Sequence, residues 1–321
     1  MDIPVENFLA RLTDPEPSVR QLALIEIEEI AAATASDEVL EALVARVRDD
    51  DPTVRSLAIA RLEDLGDPRA VPAIVAALED GDEKVREAAL TSLREFRTEA
   101  SATALLPGIE HPNPEVREAV ILALRDHRDP RATKPLVRAT RDETARVRRE
   151  AVITLAYLRS PESVSALRER LRDADPGVRR VAVGALDFFN APVLVPDFID
   201  TLGDDDWQVR REAAIVLGRS KVTQAIPPLL SALEDPYWQV RKEAVSSLGK
   251  LGAVAATEAL VHLLDDLTSD IRKAAAQALG ELGAASAHPA LERLAKGDPD
   301  AEVRKAARHA RDAIASARAV H

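Results

Sequence analysis

The chain has 321 residues, of which 46% are hydrophobic but only 3% are aromatic, so a buried core must consist mainly of Ala, Val, Leu and Ile. It contains no cysteine, which excludes disulfides and thiolate metal sites and fits a reducing compartment. A formal net charge of −12 argues against a surface that coats nucleic acid or an anionic membrane. The N-terminus lacks the pattern of a signal peptide, and no run of about 18 apolar residues predicts a membrane span. We therefore expect a soluble, cytoplasmic protein.

A Val-Arg pair, with Ile for Val in one copy, recurs along the whole chain. From Val54 to Ile271 the copies are 31 residues apart, whereas the first gap is 35 residues. A fixed period of this length predicts stacked supersecondary units that leave no room for a separate domain. The longer first gap predicts an insertion near Ala31–Ser36. We number each repeat from its Val or Ile, which is position 0: Val19, Val54, Val85, Val116, Val147, Val178, Val209, Val240, Ile271 and Val303.

Each repeat carries the pattern of two helices. An Asp stands at position −5 in nine of the ten copies, with His111 as the exception, and acids and prolines crowd the turn that follows. Small or apolar residues at +4 and +8 lie on one face of a helix, helix B, which Gly or Asn at +12 would end. The next apolar run is helix A of the following repeat, where Pro at +18 predicts a kink. Gly at +9 predicts close packing between neighbouring helices at three positions: Gly218, Gly249 and Gly280.

The pattern Asp-x-x-x-x-Val-Arg-x-x-Ala-x-x-x-Leu resembles the HEAT family, specifically the short HEAT-like repeats of phycobilisome bilin lyases. Two helices per repeat predict an all-α fold, a right-handed α-α superhelical solenoid of about ten repeats. We expect one array over residues 1–321, with an N-terminal cap at about 1–35 and a C-terminal capping repeat at about 285–321. In that last repeat Arg311 replaces the Leu at +8, beside Arg308 and His309. The resemblance implies that helix B lines the concave side.

The Arg at +1 follows the Val of every repeat. Ten such arginines could form a basic track for phosphates. Their regular occurrence with an Asp at −5 favours another interpretation, in which each Arg bonds a turn Asp of its own or the adjacent repeat. We interpret these arginines as structural.

Position +2 changes character along the chain. It is neutral or acidic in the first four repeats and basic in the last six, which we call the basic row: Arg149, Arg180, Arg211, Lys242, Lys273 and Lys305. Beside it, position +3 is acidic in three repeats: Glu150, Glu212 and Glu243. The basic row predicts a contact surface on helix B. The alternative is a solvated face held by salt bridges within and between repeats.

Seven of the nine aromatic residues lie between residues 157 and 238. Trp207 and Trp238 share position −2 in consecutive repeats, and Tyr157 and Phe188 share position +10. Trp, Tyr and Arg dominate the energetics of binding interfaces, so this set predicts a partner site on repeats five to eight. The alternative is that the aromatic rings pack over neighbouring repeats.

Catalytic motifs are not found. Iron hydroxylases with HEAT-like repeats carry His-Glu pairs at +2 and +3, but here a cation precedes each Glu, as in Arg211-Glu212. The six histidines show no ligand spacing, and no phosphate-binding or nucleophile motif occurs. We expect no cofactor and no bound metal.

The hypothesis that follows is a non-catalytic protein-protein interaction scaffold. Its partner would be a protein or peptide of acidic character, held on the concave face of repeats five to eight; a membrane is not expected, and nucleic acid is disfavoured. Two alternatives stay open. One is a chaperone subunit like the bilin or tetrapyrrole lyases, and the other is a nucleic-acid-binding HEAT-like protein, which the acidic net charge disfavours.

Overall fold

A computed structural model describes residues 5–26 and 36–319, and no strand occurs in these two ranges. The predicted insertion near Ala31–Ser36 and the start of the predicted N-terminal cap therefore lie largely outside the described residues. The chain divides into two compact units, Met1–Ala166 and Leu167–His321, which we call unit 1 and unit 2. Each is built from helices alone over its described residues.

The α-helices are short and follow one another with brief turns. Those that begin in unit 1 are α1 Val5–Leu12, α2 Pro17–Glu26, α3 Asp37–Arg46, α4 Pro52–Leu65, α5 Val71–Ala76, α6 Glu83–Glu95, α7 Glu99–Leu105, α8 Pro114–Leu124, α9 Thr133–Ala139, α10 Ala145–Leu158 and α11 Val164–Glu169. Those of unit 2 are α12 Pro176–Asp187, α13 Val195–Thr201, α14 Trp207–Arg219, α15 Ile226–Ser231, α16 Trp238–Lys250, α17 Thr257–His262, α18 Ser269–Glu281, α19 His288–Gly297 and α20 Ala301–Ala319. Helix B of each repeat is the even-numbered helix.

The start of helix B is fixed by the turn residues that the sequence indicates. Asp51 and Asp175 cap α4 and α12 by accepting a hydrogen bond from the backbone N–H three residues later. A proline follows each cap at the first helical position, where a missing N–H costs nothing because that group has no partner within a helix. Local side-chain chemistry thus places each helix B in the same register.

Helix B ends in a left-handed residue at +12. The predicted Gly66, Gly252 and Gly283 have φ of 65°, 65° and 61°, which glycine adopts without steric cost. The same conformation also occurs at this position without glycine, in a set that the sequence pattern identified only in part: Arg128, Arg159, Asn190 and Lys221. The stacking of the repeats therefore imposes the conformation even where the residue disfavours it.

Helix A is not the kinked α-helix that the recurring proline predicted. It begins with a turn of 3-10 helix, such as Pro68–Ala70, before the short α-helix α5, whose second residue is Pro72. At this second position the proline interrupts no intrahelical bond. The break before each α segment thus replaces a kink within it.

The core lies between the helices. Val209, Ala213 and Leu217, at positions 0, +4 and +8, are completely buried, as are their equivalents in the neighbouring repeats of unit 2. The predicted close packing at +9 is confirmed, because a Cβ added to Gly218 would lie 2.9 Å from Cα of Ser247. Gly249 and Gly280 approach position +7 of the next repeat equally closely. A small residue at +9 therefore receives a small residue at +7, and the backbones come near each other.

The last repeat carries its charge in a network. Arg311, in place of the usual Leu, bonds Glu292 of α19 at 2.7 Å, and Lys296 bonds the same carboxylate at 2.7 Å. The hydrogen bonds from Lys296 and Arg311 lower the pKa of Glu292 from 4.5 to about 2. Arg308 and His309 are exposed on α20.

This network predicts an acid-sensitive C-terminal repeat. Because the folded-state pKa of Glu292 lies below its ordinary 4.5, its contribution to stability is complete above that pH and is lost as the pH falls towards about 2. Hydrogen exchange of α19 and α20 should therefore rise over this range in the native chain. In Glu292→Gln, protection should already be lower at neutral pH and should change less with acid; an identical pH profile for both chains would contradict the assignment.

Candidate functional site

The arginines at +1 form a seam between consecutive repeats. Within unit 2, Arg179 bonds Asp204 at 2.7 Å, and the same contact recurs between Arg210 and Asp235 and between Arg272 and Asp298. Within unit 1 the equivalent pairs are Arg20–Asp49, Arg55–Asp80 and Arg117–Asp142. In each pair the Asp belongs to the turn of the next repeat, at position −5.

Each seam arginine also ties down its own turn. Arg179 Nη1 donates to the carbonyl oxygen of Asp173 at 2.9 Å, and Arg86 donates in the same way to Asp80 at 2.7 Å. Over the described residues Arg86 has no ion pair, which follows from His111 in place of Asp at −5 of the next repeat. The hydrogen bond from Arg272 lowers the pKa of Asp298 despite its burial. The structural interpretation of these arginines is confirmed, and they offer no track for phosphates.

The basic row lies one residue further along helix B and is much more exposed. In unit 2, Arg211 pairs with Glu243 at 3.4 Å and Lys273 with Glu302 at 3.6 Å. Exposed pairs at such distances contribute little to stability. Arg180, Lys242 and Lys305 have no ion pair within the part of the chain that the structure describes. The predicted alternative of a salt-bridged face therefore applies to every second cation of unit 2.

The glutamates at +3 turn towards neighbouring helices. Glu150 in unit 1 pairs with Arg125 of the preceding repeat and lies 3.5 Å from Arg149. Glu243 pairs across the repeats with Arg211. Glu212 lies beside Gly184, where an added Cβ would be 3.6 Å from its Oε1. These carboxylates separate the cations of the basic row instead of gathering into a metal site.

The two tryptophans play different parts. Trp207 is half-buried and stacks on Tyr237 of the next repeat, with ring centroids 5.6 Å apart and planes 11° apart. The guanidinium of Arg210 lies 5.6 Å from the centroid of the same Tyr237 ring. Trp207 therefore packs between repeats with one face, as the alternative interpretation held. Trp238 is 37% exposed, and Tyr237, which was not among the predicted site residues, is 46% exposed.

The predicted aromatic set does not form one cluster. Trp207 and Trp238 are the first residues of α14 and α16, whereas Phe188 follows the last residue of α12 and is 54% exposed. Tyr157 is the penultimate residue of α10, where Arg125 lies 5.7 Å from its ring centroid. Positions −2 and +10 are twelve residues apart, about 18 Å along a helix. Phe188 and Tyr157 therefore stand at the opposite end of their helices from the position of the tryptophans.

The exposed residues that do share a surface are an aromatic ring and a cation. Trp238 and Lys242 are four residues apart on α16, as are Trp207 and Arg211 on α14, so each pair lies on one helix face. Lys242 is half-buried, and its ammonium group has no carboxylate within ion-pair distance among the described residues. Tyr237, Trp238 and Lys242 define what we call the α16 patch.

The cavities do not suit a large ligand. One in unit 2, beside Asn190 and Phe198, has a volume of about 30 Å³, and one in unit 1, beside Arg55 and Asp80, has about 280 Å³. Cofactor pockets usually occupy about 300–1,000 Å³. Within residues 5–26 and 36–319, no group of three His, Cys, Asp or Glu side chains is arranged to bind a metal ion. No helix in those ranges has the length and apolar character to cross a membrane.

The repeat geometry agrees with a comparison against protein-family models. The model for HEAT repeats matches residues 5–94, 71–153, 136–205, 195–279 and 264–312. The chain belongs to the HEAT repeat family. Its resemblance to the bilin lyase type of HEAT repeat stays a prediction. No match was found among curated proteins.

Solved HEAT-type structures are similar to this chain in fold. Kap95p, in a structure describing its binding to RanGDP, has a TM-score of 0.64 and 17% identity, covering 97% of this chain and 49% of its own. Importin beta has a TM-score of 0.58 and 17% identity, covering 98% of this chain and 56% of its own. An engineered protein has a TM-score of 0.52 and 22% identity, with coverage of 97% and 98%. This HEAT chain thus spans about half the length of the two transport-related chains.

Proposed function

We propose that this HEAT repeat protein is a non-catalytic scaffold that binds another protein through the helix B surface of unit 2. The observation that carries the proposal is the α16 patch. Trp238 and Tyr237 expose large rings beside Lys242, and exposed aromatic rings with a neighbouring cation are typical anchors of protein interfaces. Most other repeats carry Pro, Glu, Asp or another small residue at −2, so stacking of the repeats does not require Trp.

The charges around the patch favour an acidic partner. Arg180 and Lys242 have no carboxylate partner among the described residues, so a partner's carboxylate would meet cations that are not already neutralised. Complementary charge speeds association and sets orientation more than it adds affinity. We include in this proposal the concave position of the helix B surface, a single array over both units and a cytoplasmic location. The likeness to Kap95p, which binds RanGDP, agrees with a scaffold role but extends to the fold alone.

The test compares two exposed aromatic residues at opposite ends of the helix B row. Trp238→Ala should lose a partner that the native chain captures from cell extract, because the central ring of the interface is gone. Phe188→Ala is the matched control, since it removes an exposed ring about 18 Å further along the repeat's helix direction. Captured proteins are quantified by mass spectrometry, and circular dichroism checks the helical content of each variant.

The outcomes separate the candidates. Equal capture by the native chain and Trp238→Ala would reject the α16 patch, and a loss only in Phe188→Ala would move the site to the other end of the helices. Pigment that remains bound to the purified native chain would favour the tetrapyrrole alternative. Salt-sensitive binding of DNA would favour the nucleic-acid alternative.

A further inference from the structure

We propose that the partner presents an extended, acidic segment that crosses the helices B of unit 2, with its acidic side chains about six residues apart. This inference rests on the proposed function and adds the form and spacing of what is bound. It starts from the cations of the basic row that have no ion pair in the described part of the chain: Arg180, Lys242 and Lys305.

The spacing comes from how the helices pack. Neighbouring helices lie about 8–10 Å apart, and the contact of Gly218 with Ser247 places α14 and α16 at the close end of this range. Arg180 and Lys242 occupy the same position two repeats apart, which corresponds to about 16–20 Å. An extended chain advances about 3.3–3.6 Å per residue. Five or six residues therefore span the distance from one unpaired cation to the next.

The intervening cations explain why the favoured spacing skips one repeat. Arg211 lies 3.4 Å from Glu243, and Lys273 lies 3.6 Å from Glu302. A ligand carboxylate placed over either cation would also face that glutamate, so the attraction is partly cancelled. Carboxylates at every sixth residue avoid the glutamates and meet only the unpaired cations.

The same alternation favours a peptide over a nucleic acid. A nucleic-acid strand carries a phosphate at every nucleotide, so some phosphates would stand next to Glu212, Glu243 and Glu302. An extended peptide places neutral residues there. Its backbone can cross the helices while only selected side chains carry charge.

The α16 patch adds a requirement beside one acidic residue. Trp238 lies one helical turn from Lys242 on the same face. The neighbouring Tyr237 ring is held by its stack with Trp207 and by Arg210, so the aromatic surface is already ordered before binding. An apolar side chain next to the acidic residue that meets Lys242 would pack against Trp238 and bury its exposed face.

The two tryptophans allow a direct test. The chain contains only two Trp residues, so Trp207→Phe leaves Trp238 as the sole tryptophan and keeps an aromatic ring against Tyr237. Two synthetic peptides of identical composition are titrated at low ionic strength. One carries three glutamates at every sixth residue, each followed by leucine, in a glycine-serine background; the other carries the same residues with the glutamates adjacent.

We expect the spaced peptide to change the emission of Trp238 and to bind at least about five-fold more tightly than the clustered one, with affinity falling as salt is added. Trp238→Phe, in which Trp207 is the sole tryptophan, should show a smaller change in emission. Lys242→Glu in the Trp207→Phe background should abolish the preference for the spaced peptide. Lys250→Glu, which changes an exposed cation at the far end of α16, is the matched charge control and should keep the preference.

Equal affinity for the two peptides, or no binding of either, would overturn the extended acidic segment. Tighter binding of a single-stranded oligonucleotide than of the spaced peptide would overturn it in favour of nucleic acid. Each of these results leaves the scaffold proposal to be judged by the capture experiment, in which Trp238→Ala loses its partner whatever form that partner takes.

Discussion

Arg179→Ala is expected to lower the free energy of unfolding by about 2–4 kcal/mol, whereas Arg180→Ala should change it by less than about 0.5 kcal/mol. The two residues are adjacent on α12 and have identical side chains. Arg179 is bonded to Asp204 through two nitrogens, at 2.7 and 2.8 Å, and to the carbonyl oxygen of Asp173. Its removal leaves a buried carboxylate and a turn carbonyl without a partner, which costs more than the pair itself contributes.

Urea unfolding of both variants measures the difference. Because the chain consists of repeats, the transition of unit 2 should be followed separately, for example by tryptophan emission, since both tryptophans lie in that unit. Arg180→Ala supplies the control for loss of a positive charge. If Arg180→Ala proved the more destabilising variant, the assignment of seam and basic row would be reversed.

Gly218→Ala should destabilise unit 2 by about 1–3 kcal/mol, although Ala is a better helix former than Gly. A Cβ at this position would lie 2.6 Å from Cβ and 2.9 Å from Cα of Ser247. It would also displace the Ser247 hydroxyl, which donates to the carbonyl oxygen of Ala214 at 2.7 Å. Helices α14 and α16 would have to move apart to accept the new methyl group.

Gly297→Ala is the control for helix propensity. Gly297 ends α19, and an added Cβ there would meet nothing within 4 Å, so this change should stabilise by up to about 1 kcal/mol. A second variant tests the cause directly. Ser247→Gly should be harmful alone but should recover part of the stability in the Gly218→Ala background, because it removes the atoms in conflict. Purely additive effects would show that the steric explanation is wrong.

The seam and the close helix packing could be predicted because both depend on spacing within one repeat. The recurrence of Asp at −5 with Arg at +1 indicated the pair, and Gly at +9 indicated close packing. The separation of Phe188 from the tryptophans was also open to prediction, since twelve residues of helix amount to about 18 Å. Grouping the aromatic residues by their closeness in sequence concealed it.

Other features depend on contacts between repeats that spacing does not reveal. The stack of Trp207 on Tyr237 and the pairing of Arg211, but not Lys242, with a glutamate depend on the side-chain conformers chosen across two helices. The broken start of helix A depends on where its α segment begins relative to the proline. The left-handed conformation of Lys221 is imposed by its neighbours and contradicts the preference of the residue itself.

The seam joins residues that are 25 positions apart, from one repeat to the next, and the strings around it in two repeats are identical: Trp207-Gln208-Val209-Arg210 and Trp238-Gln239-Val240-Arg241. Removal of the 31 residues from Arg210 to Val240 would join Val209 to Arg241 and restore the same string without a scar. Arg241 would then follow the turn of Asp204 and still reach Asp266, its present partner at 3.7 Å. A gene with this arrangement can gain or lose a whole repeat by recombination between its own copies, and the length of the protein can change without rebuilding its core.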